Sequence, residues 1–218
     1  MLKPKDSNEL LTIGLPVYND VQFIESSLES LLNQTFINFK LVISDDCSTD
    51  GSHLICEKFA SQDQRITYLR QEKNIGISRN MQFLLSKADT KYFMWAGDDD
   101  LYDETFIENH INALEKSDAI VSFCNFSTID ENNIVIETYT NLDYSDSNRK
   151  KRLVNFIRNS HDAFGYGMFL TEEIKDVEFP VWWWPNKKSP YNNIFPSLCF
   201  YLTKGNYTHI EGKTLFFK

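Results

Sequence analysis

Short apolar runs, each followed by a segment with helical spacing, constrain the fold of this 218-residue chain more than any other feature. The runs lie at 10–15, 39–44, 66–69, 91–96 and 119–125. Their length is that of buried strands, and the apolar residues between them recur every three or four positions, as in helices packed on a sheet. Regular alternation with short connections predicts an α/β fold, with a doubly wound, mostly parallel sheet and helices on both faces.

The alternation stops after about Phe126. The second part predicts a polar hairpin, a charged helix, another helix and a last strand, at 127–138, 146–160, 194–202 and 214–217. There is no internal repeat and no low-complexity linker between the two parts. We therefore expect residues 126–218 to form a smaller portion that packs on the same core as residues 1–125.

The charge balance restricts the classes of ligand that the chain is expected to bind. The chain has 22 lysines and arginines against 31 aspartates and glutamates, a formal net charge of −9. Binding of nucleic acid is not expected, because it depends on a clustered positive surface. A ligand that carries phosphates would be repelled, so a bound divalent cation is expected if the substrate is phosphorylated.

The cysteines and the N-terminus bear on location. The four cysteines show neither CxxC pairing nor zinc-ligand spacing, which favours reduced thiols. Residues 1–6 lack the apolar run of a signal peptide, and no stretch approaches the roughly 20 apolar residues of a transmembrane helix. We expect a cytoplasmic protein without a transmembrane segment, and peripheral contact with the inner face of the membrane stays open.

An acidic triplet, Asp98-Asp99-Asp100, comes almost directly after the apolar run 91–96. In open parallel sheets ligands bind outside the carboxyl ends of the strands, so we expect the triplet in a ligand cleft. Carboxylates suit Mg²⁺ or Mn²⁺, which bind through one or two of them together with substrate phosphates. The alternative is an acidic cap on a helix N-terminus, which explains Asp103 better than it explains the triplet. The sequence favours a metal site.

Other residues near strand ends have two interpretations each. Asp45 and Asp46 either begin the turn after their strand or accept hydrogen bonds from a base or a ribose. Tyr18 is either a core ring or a ring that stacks on a flat base. Arg79, near the start of a predicted helix, pairs either with a diphosphate or with a surface carboxylate.

The ordered set of motifs resembles the family-2 glycosyltransferases, which have the GT-A fold. The chain carries PVYN at 16–19, LLNQTF at 31–36, DDCSTDG at 45–51, NIGISRN at 74–80 and GDDD at 97–100. Each motif alone is weak, but the set in this order is specific. The resemblance is good from about residue 10 to 125 and faint afterwards.

The resemblance implies roles for individual residues. Tyr18 would lie against the base of a nucleotide sugar, Asp45 at the edge of the base and Asp98 at the ribose. Asp99 would bind the Mg²⁺ or Mn²⁺ that bridges the diphosphate. The full set of expected donor contacts is Pro16, Tyr18, Asn19, Asp45, Arg79 and Asp98. Many relatives have an aspartate where this chain has Ala96, so its acidic motif is a shortened variant.

The resemblance also implies a reaction. Residues 1–125 would form the nucleotide-sugar-binding half of a single GT-A domain and residues 126–218 its acceptor-side half, with C-terminal truncation left open. An inverting transfer would move a sugar from a nucleoside-diphosphate sugar, expected to be a UDP-sugar, to a hydroxyl of a glycan or lipid-linked acceptor. Synthesis of surface polysaccharide is the expected setting.

The catalytic base is the point where the chain departs from the family. The family's base precedes a segment similar to 202–205 by about ten residues, and this chain has an amide there, near Asn193. An amide cannot act as a general base. Three explanations stay open: the chain is a fragment, it binds a donor without transfer, or another carboxylate folds into the cleft. The candidate carboxylates are Glu172, Glu173, Asp176 and Glu178. A nucleotide-sugar-binding protein with little or no transferase activity is therefore the main alternative.

Overall fold

A computed structural model describes residues 9–140, 146, 148–159, 165–179, 181–183, 190–192 and 195–217. The strands are β1 (Leu11–Val17), β2 (Phe39–Asp45), β3 (Ile66–Arg70), β4 (Tyr92–Trp95), β5 (Leu101–Tyr102), β6 (Ala119–Ile129), β7 (Val135–Tyr139), β8 (Met168–Leu170), β9 (Val181–Trp183), β10 (Pro190–Asn192) and β11 (Asn206–Phe217). The helices are α1 (Ile24–Leu32), α2 (Ser52–Gln62), α3 (Ile77–Leu85), α4 (Phe106–Glu115), α5 (Arg149–Asn159), α6 (Thr171–Ile174) and α7 (Phe195–Lys204). The five apolar runs of the first half are the strands β1, β2, β3, β4 and β6.

Nine of these strands form one sheet. Their order is β3-β2-β1-β4-β8-β6-β11-β5, with β7 beside β6. Strand β1 runs parallel to both β2 and β4, and β3 runs parallel to β2. The carboxyl ends of these strands therefore share one edge of the sheet, where Val17 lies opposite Asp45. The α/β, mostly parallel architecture predicted from the alternation is confirmed.

Strand β8 lies between β4 and β6 and is antiparallel to both. With three residues it is too short to be predicted from hydrophobic periodicity. Because β8 is antiparallel, its amino end lies at the edge where β1 and β4 have their carboxyl ends. The residues just before it, Gly165, Tyr166 and Gly167, thereby reach that edge from the second half of the chain.

The core of the sheet is built around aromatic rings. Trp95 is buried and makes edge-on contacts with Phe93, Phe169 and Phe179, at centroid distances of 4.6, 5.9 and 5.2 Å. Gly14 on β1 allows this packing, because a Cβ there would lie 3.0 Å from the Phe93 ring. A larger residue would have to displace that ring from a close-packed interior.

The second half is more strand-rich than its sequence predicts. The predicted hairpin is present as β6 and β7, and the charged helix as α5. The last strand, expected at 214–217, begins at Asn206 and runs parallel to β6. The expected division after residue 125 falls inside β6. None of the helices in the described ranges is long and apolar enough to cross a membrane.

Candidate functional site

A cleft of about 370 Å³ opens at the carboxyl ends of β1, β2 and β4. Its described lining consists of Pro16, Val17, Tyr18, Asp46, Asn74, Gly76, Ile77, Asn80, Gly97, Asp98, Asp99 and Tyr166. Three of these residues are aspartates, and none of the lining residues that the structure describes is a lysine, arginine or histidine. The charged groups of the described lining are therefore all acidic, and both halves of the chain contribute to the cleft.

The ionisation of Asp98 is strongly affected by its surroundings. Its Oδ2 accepts a hydrogen bond from the backbone N–H of Tyr18 at 3.2 Å, which connects the acidic motif to the end of β1. Burial, together with the nearby charge of Asp20, raises the pKa of Asp98 to about 7. A positive ligand beside this carboxylate would stabilise its ionised form.

The turn Gly97–Asp100 places Asp98 and Asp99 in the cleft and Asp100 behind it. Gly97 is held on both sides: its N–H donates to the Tyr102 hydroxyl at 3.1 Å, and its carbonyl accepts from the Ser27 hydroxyl at 2.8 Å. A Cβ on Gly97 would lie 2.2 Å from Oδ2 of Asp100, which is buried. A larger residue at this position would have to displace the Asp100 carboxylate, which occupies the space of a side chain.

Asp46, and not Asp45, lines the cleft. The two oxygens of Asp46 accept hydrogen bonds from the backbone N–H groups of Ile75 and Gly76, at 2.7 and 2.9 Å. Gly76 has φ of +83° and ψ of 155°, a conformation that is almost confined to glycine. Asp46 thereby fixes the loop that carries three other lining residues.

The Asp45 carboxylate is directed into the protein. It is fully buried, where Oδ1 accepts from the Ser48 N–H at 2.8 Å and Oδ2 from the Tyr68 hydroxyl at 2.8 Å. The Nε of Arg70 lies 3.3 Å from Oδ2. Burial and the hydrogen bond to Asp45 raise the pKa of Tyr68, so the phenol stays protonated and donates. Asp45, expected to contact a base, is instead engaged in holding β2, β3 and the following turn together.

The loop after β1 brings Pro16 and Tyr18 into the cleft, as expected, but not Asn19. Tyr18 is 51% exposed, so its ring is available to a ligand and is not part of the core. Asn19 has φ of 54°, and its Oδ1 accepts from the Thr49 N–H at 2.7 Å. This hydrogen bond connects the loop after β1 to the turn after β2.

Arg79 is exposed on α3 and is not among the lining residues. Its neighbour Asn80 is buried and lines the cleft, and its Nδ2 donates to the Ser44 carbonyl at 2.8 Å. The motif NIGISRN was recognised from the sequence, but which of its members reach the cleft was not. A helix begins at Ile77, and only its geometry decides whether residue 79 or residue 80 faces the sheet.

Tyr166 could not be assigned from its surroundings in the sequence. The segment Gly165-Tyr166-Gly167 has no periodicity, and the strand that positions it has only three residues. The one available signal was two glycines flanking a tyrosine before an apolar stretch. That signal indicates a turn and says nothing about a ligand.

The four carboxylates that are candidates for the catalytic base do not line the described cleft. Glu172 and Glu173 are on α6, which follows β8, and the Thr171 N–H donates to the Lys91 carbonyl at 3.0 Å. That contact is at the amino end of β4, the edge of the sheet opposite the cleft. Neither they nor Asp176 and Glu178 belong to the described lining. Asn193, near the position expected for the base, lies outside the described residues.

The described side chains fit a divalent cation that is shared with a ligand. No group of three histidine, cysteine, aspartate or glutamate side chains clusters within the part of the chain that the structure covers. A closed, all-protein metal site is therefore not formed by these residues. Asp98 and Asp99 do line the cleft together, and Mg²⁺ typically uses one or two carboxylates and completes its coordination with phosphates and water.

Relatives in sequence are glycosyltransferases. Glycosyltransferase GlyG of Streptococcus pneumoniae is 32% identical over 124 residues, which are 57% of this chain and 41% of that protein. The putative teichuronic acid biosynthesis glycosyltransferase TuaG of Bacillus subtilis is 25% identical over 130 residues, 60% of this chain and 52% of that protein. In both comparisons the chain spans less than two thirds of the relative's length.

Similar solved structures have the same fold. TarS of Staphylococcus aureus, residues 1–349 in complex with UDP-GlcNAc, superposes with a TM-score of 0.73 at 20% identity, over 95% of this chain and 58% of that one. The mannosyltransferase PcManGT of Pyrobaculum calidifontis, in complex with GDP-Man and Mn²⁺, gives 0.65 at 14% identity, over 98% and 60%. These likenesses confirm the GT-A fold.

The family assignment comes from a longer match. Residues 12–177 match the family described as Glycosyl transferase family 2. The match includes every lining residue described above, from Pro16 to Tyr166. It also extends well beyond residue 125, where the resemblance in motifs became faint. This chain therefore belongs to glycosyl transferase family 2.

Proposed function

We propose that the chain is a metal-dependent, inverting glycosyltransferase that moves a sugar from a UDP-sugar to a hydroxyl group. The observation that carries this proposal is one cleft in which the exposed ring of Tyr18 and the carboxylates of Asp98 and Asp99 meet at the carboxyl ends of parallel strands. This is the edge where open α/β sheets bind nucleotides. The relatives and the UDP-GlcNAc complex of a structural neighbour support the choice of donor.

In this proposal the nucleotide lies along the β1 and β2 side of the cleft. Tyr18 stacks on the base, and the loop that Asp46 holds closes over it. Of the two neighbouring aspartates, Asp46 and not Asp45 lies beside the nucleotide base, since only Asp46 lines the cleft. Asp98 accepts a hydrogen bond from the ribose, while the N–H of Tyr18 keeps its carboxylate in place.

Asp99, with Asp98 beside it, would hold the Mg²⁺ or Mn²⁺. When bound, the ion neutralises charge on the diphosphate and on the departing nucleoside diphosphate. The chain's own residues orient the donor, and Tyr166 approaches from the acceptor-side half, where it can flank the sugar. The base that deprotonates the acceptor hydroxyl is not assigned to any residue.

We further propose that the acceptor is a glycan or a lipid-linked glycan of a surface polysaccharide. Relatives named for teichuronic acid and minor teichoic acid biosynthesis support this setting. Residues 126–218 are the expected acceptor side. The free thiols of Cys47 and Cys56 fit a reducing cytoplasmic compartment.

The test is turnover of a donor panel. UDP-, GDP- and dTDP-sugars are incubated with the full chain and Mn²⁺, and release of nucleoside diphosphate and nucleotide affinity are measured. We expect release from a UDP-sugar that EDTA abolishes, and a loss of at least about 100-fold for Asp99→Asn. Asp89→Asn is the matched control, because it removes the same charge at an exposed site paired with Lys40.

A nucleotide-sugar-binding protein without turnover is the second candidate. It is favoured by one observation: no described lining carboxylate is left for the role of base once Asp46, Asp98 and Asp99 are assigned to the donor. Metal-dependent binding of UDP with no turnover of any donor would establish this candidate. If nucleotide binding were independent of metal and of Asp99→Asn, both candidates would be wrong.

A further inference from the structure

Helix α5 (Arg149–Asn159) is strongly basic in an acidic protein. Five of its 11 residues are lysine or arginine and none is acidic, whereas the whole chain has a net charge of −9. The sequence RKKRLVNFIRN also places apolar residues on more than one side of the helix. A charged helix of this kind needs an explanation beyond its packing.

Packing inside the protein explains only one of the five basic residues of α5. Phe156 is fully buried, and the buried Arg152 donates from Nη2 to the Gly205 carbonyl and from Nη1 to the Asp146 carbonyl, both at 2.8 Å. Arg152 therefore connects α5 to the end of α7. Its role is structural, and the other basic residues of the helix do not share it.

The outer face of α5 consists of Lys150, Lys151, Val154, Ile157 and Arg158. All five are exposed, including Val154 at 46% and Ile157 at 56%. In the part of the chain that the structure describes, no carboxylate forms an ion pair with the lysines or the arginine of this face. The residues Lys150, Lys151, Val154, Asn155 and Arg158 line a shallow depression of about 400 Å³.

We propose that the outer face of α5 docks on the surface of a bilayer that contains anionic phospholipid. The unpaired cations are complementary to anionic headgroups, and the two aliphatic side chains can enter the boundary between headgroups and acyl chains. Basic helices with exposed apolar residues lie in the plane of such interfaces. A water-soluble polyanion would use the charges but would leave Val154 and Ile157 in water, so the bilayer explains both parts of the face.

This inference goes beyond the proposed transfer and does not depend on it. It has a consequence for the cleft, because Tyr166 follows Asn159 by seven residues. Seven residues span at most about 25 Å of chain. A docked α5 would therefore keep Tyr166, and the side of the cleft that it lines, close to the membrane, where an acceptor attached to lipid would be found.

The experiment is sedimentation of the full chain with vesicles, without donor or acceptor. Vesicles of phosphatidylcholine alone are compared with vesicles that contain equal amounts of phosphatidylcholine and phosphatidylglycerol. We expect binding to the anionic vesicles only, weakened by added salt. Lys150→Gln with Lys151→Gln should weaken it roughly 25-fold, at about fivefold per charge. The control is Lys87→Gln with Lys116→Gln, which removes the same charge from exposed sites outside α5 and should leave binding within about twofold.

A second pair, Val154→Ser with Ile157→Ser, tests the apolar part and should also weaken binding. Nucleotide affinity and circular dichroism, measured on every variant, show that each is folded and separate this proposal from the proposed function. The proposal is overturned if the control pair loses as much binding as the α5 pair, or if neutral vesicles bind equally. It is also overturned if the serine pair binds like the wild type while soluble polyphosphate competes, since the face would then hold a soluble polyanion.

Discussion

Replacing Asp45 by asparagine tests whether this aspartate stabilises the fold or binds the nucleotide. The carboxylate accepts two hydrogen bonds, from Ser48 and Tyr68, and forms an ion pair with Arg70. Asparagine keeps one acceptor oxygen and turns an NH₂ group toward the remaining donors. The variant thus loses the ion pair and one charge-assisted hydrogen bond inside the protein.

The size of the effect follows from burial. Removing one partner of a buried ion pair costs about 3–5 kcal/mol, and a hydrogen bond to a charged group contributes about 1.5–3 kcal/mol. The Arg70 side chain is 38% exposed, so water recovers part of the loss on its side. We expect the free energy of unfolding to fall by about 2–4 kcal/mol. With a urea slope near 2 kcal/mol/M, the midpoint moves down by about 1–2 M.

The assay combines urea unfolding with titration of UDP in the presence of Mn²⁺. Asp45→Asn should unfold early and bind UDP within about twofold of the wild type wherever it is folded. Asp46→Asn is the matched comparison, since it weakens the hold on the Ile75–Gly76 loop and should lower UDP affinity by about 10-fold or more. If Asp45→Asn kept its stability and lost UDP affinity, Asp45 would be a nucleotide contact and not a structural residue.

Two further predictions concern the acidic turn and the buried histidine. Gly97→Ala should abolish metal-dependent UDP binding and lower the free energy of unfolding by about 1–3 kcal/mol, because the added Cβ would lie 2.2 Å from the Asp100 carboxylate. Calorimetry measures the binding and thermal unfolding measures the stability. Unchanged UDP binding would contradict this prediction. Burial lowers the pKa of His110 to about 3 from 6.5, so the folded state disfavours its protonation and stability is lost as pH falls from 6.5 toward 3. His110→Gln can keep the hydrogen bond to Ser122. Between pH 6 and 4, this variant should reduce the dependence of the unfolding free energy on pH by about 1.4 kcal/mol per pH unit. An unchanged pH dependence would mean that His110 does not titrate in the unfolding transition.

The sequence predicted the sheet well because the sheet follows from local patterns. Each strand from β1 to β4 is an apolar run, and each is followed by a helix or a tight acidic turn. The same pattern identified the cleft edge, since parallel strands place their carboxyl ends together. Pro16, Tyr18, Asp98 and Asp99 were expected at this edge, and all four line the cleft.

Two expected site residues, Asp45 and Arg79, do not line the described cleft, whereas the residues that follow them in the chain do. Asp45 is the last residue of β2 and its carboxylate is directed into the protein, whereas Asp46 has left the strand and faces the cleft. Arg79 and Asn80 are adjacent on α3 and lie on different faces of it. A motif fixes which residues are near a site, but the direction of each side chain depends on where the strand ends and how the helix is rotated.

The charge of the cleft restricts how a ligand that carries phosphates could bind there. The described lining has three aspartates and no basic side chain, in a protein with a net charge of −9. Two like charges about 4 Å apart repel by about 4 kcal/mol at an effective dielectric constant of 20, so the ionised carboxylates of Asp98 and Asp99 would repel a diphosphate placed against them. Arg79, the cation expected to offset this, is exposed on α3 outside the described lining. A divalent ion held by Asp99, with Asp98 beside it, would attract both the carboxylates and the phosphates. The charge of the cleft therefore supports the proposed metal dependence separately from the resemblance to the family.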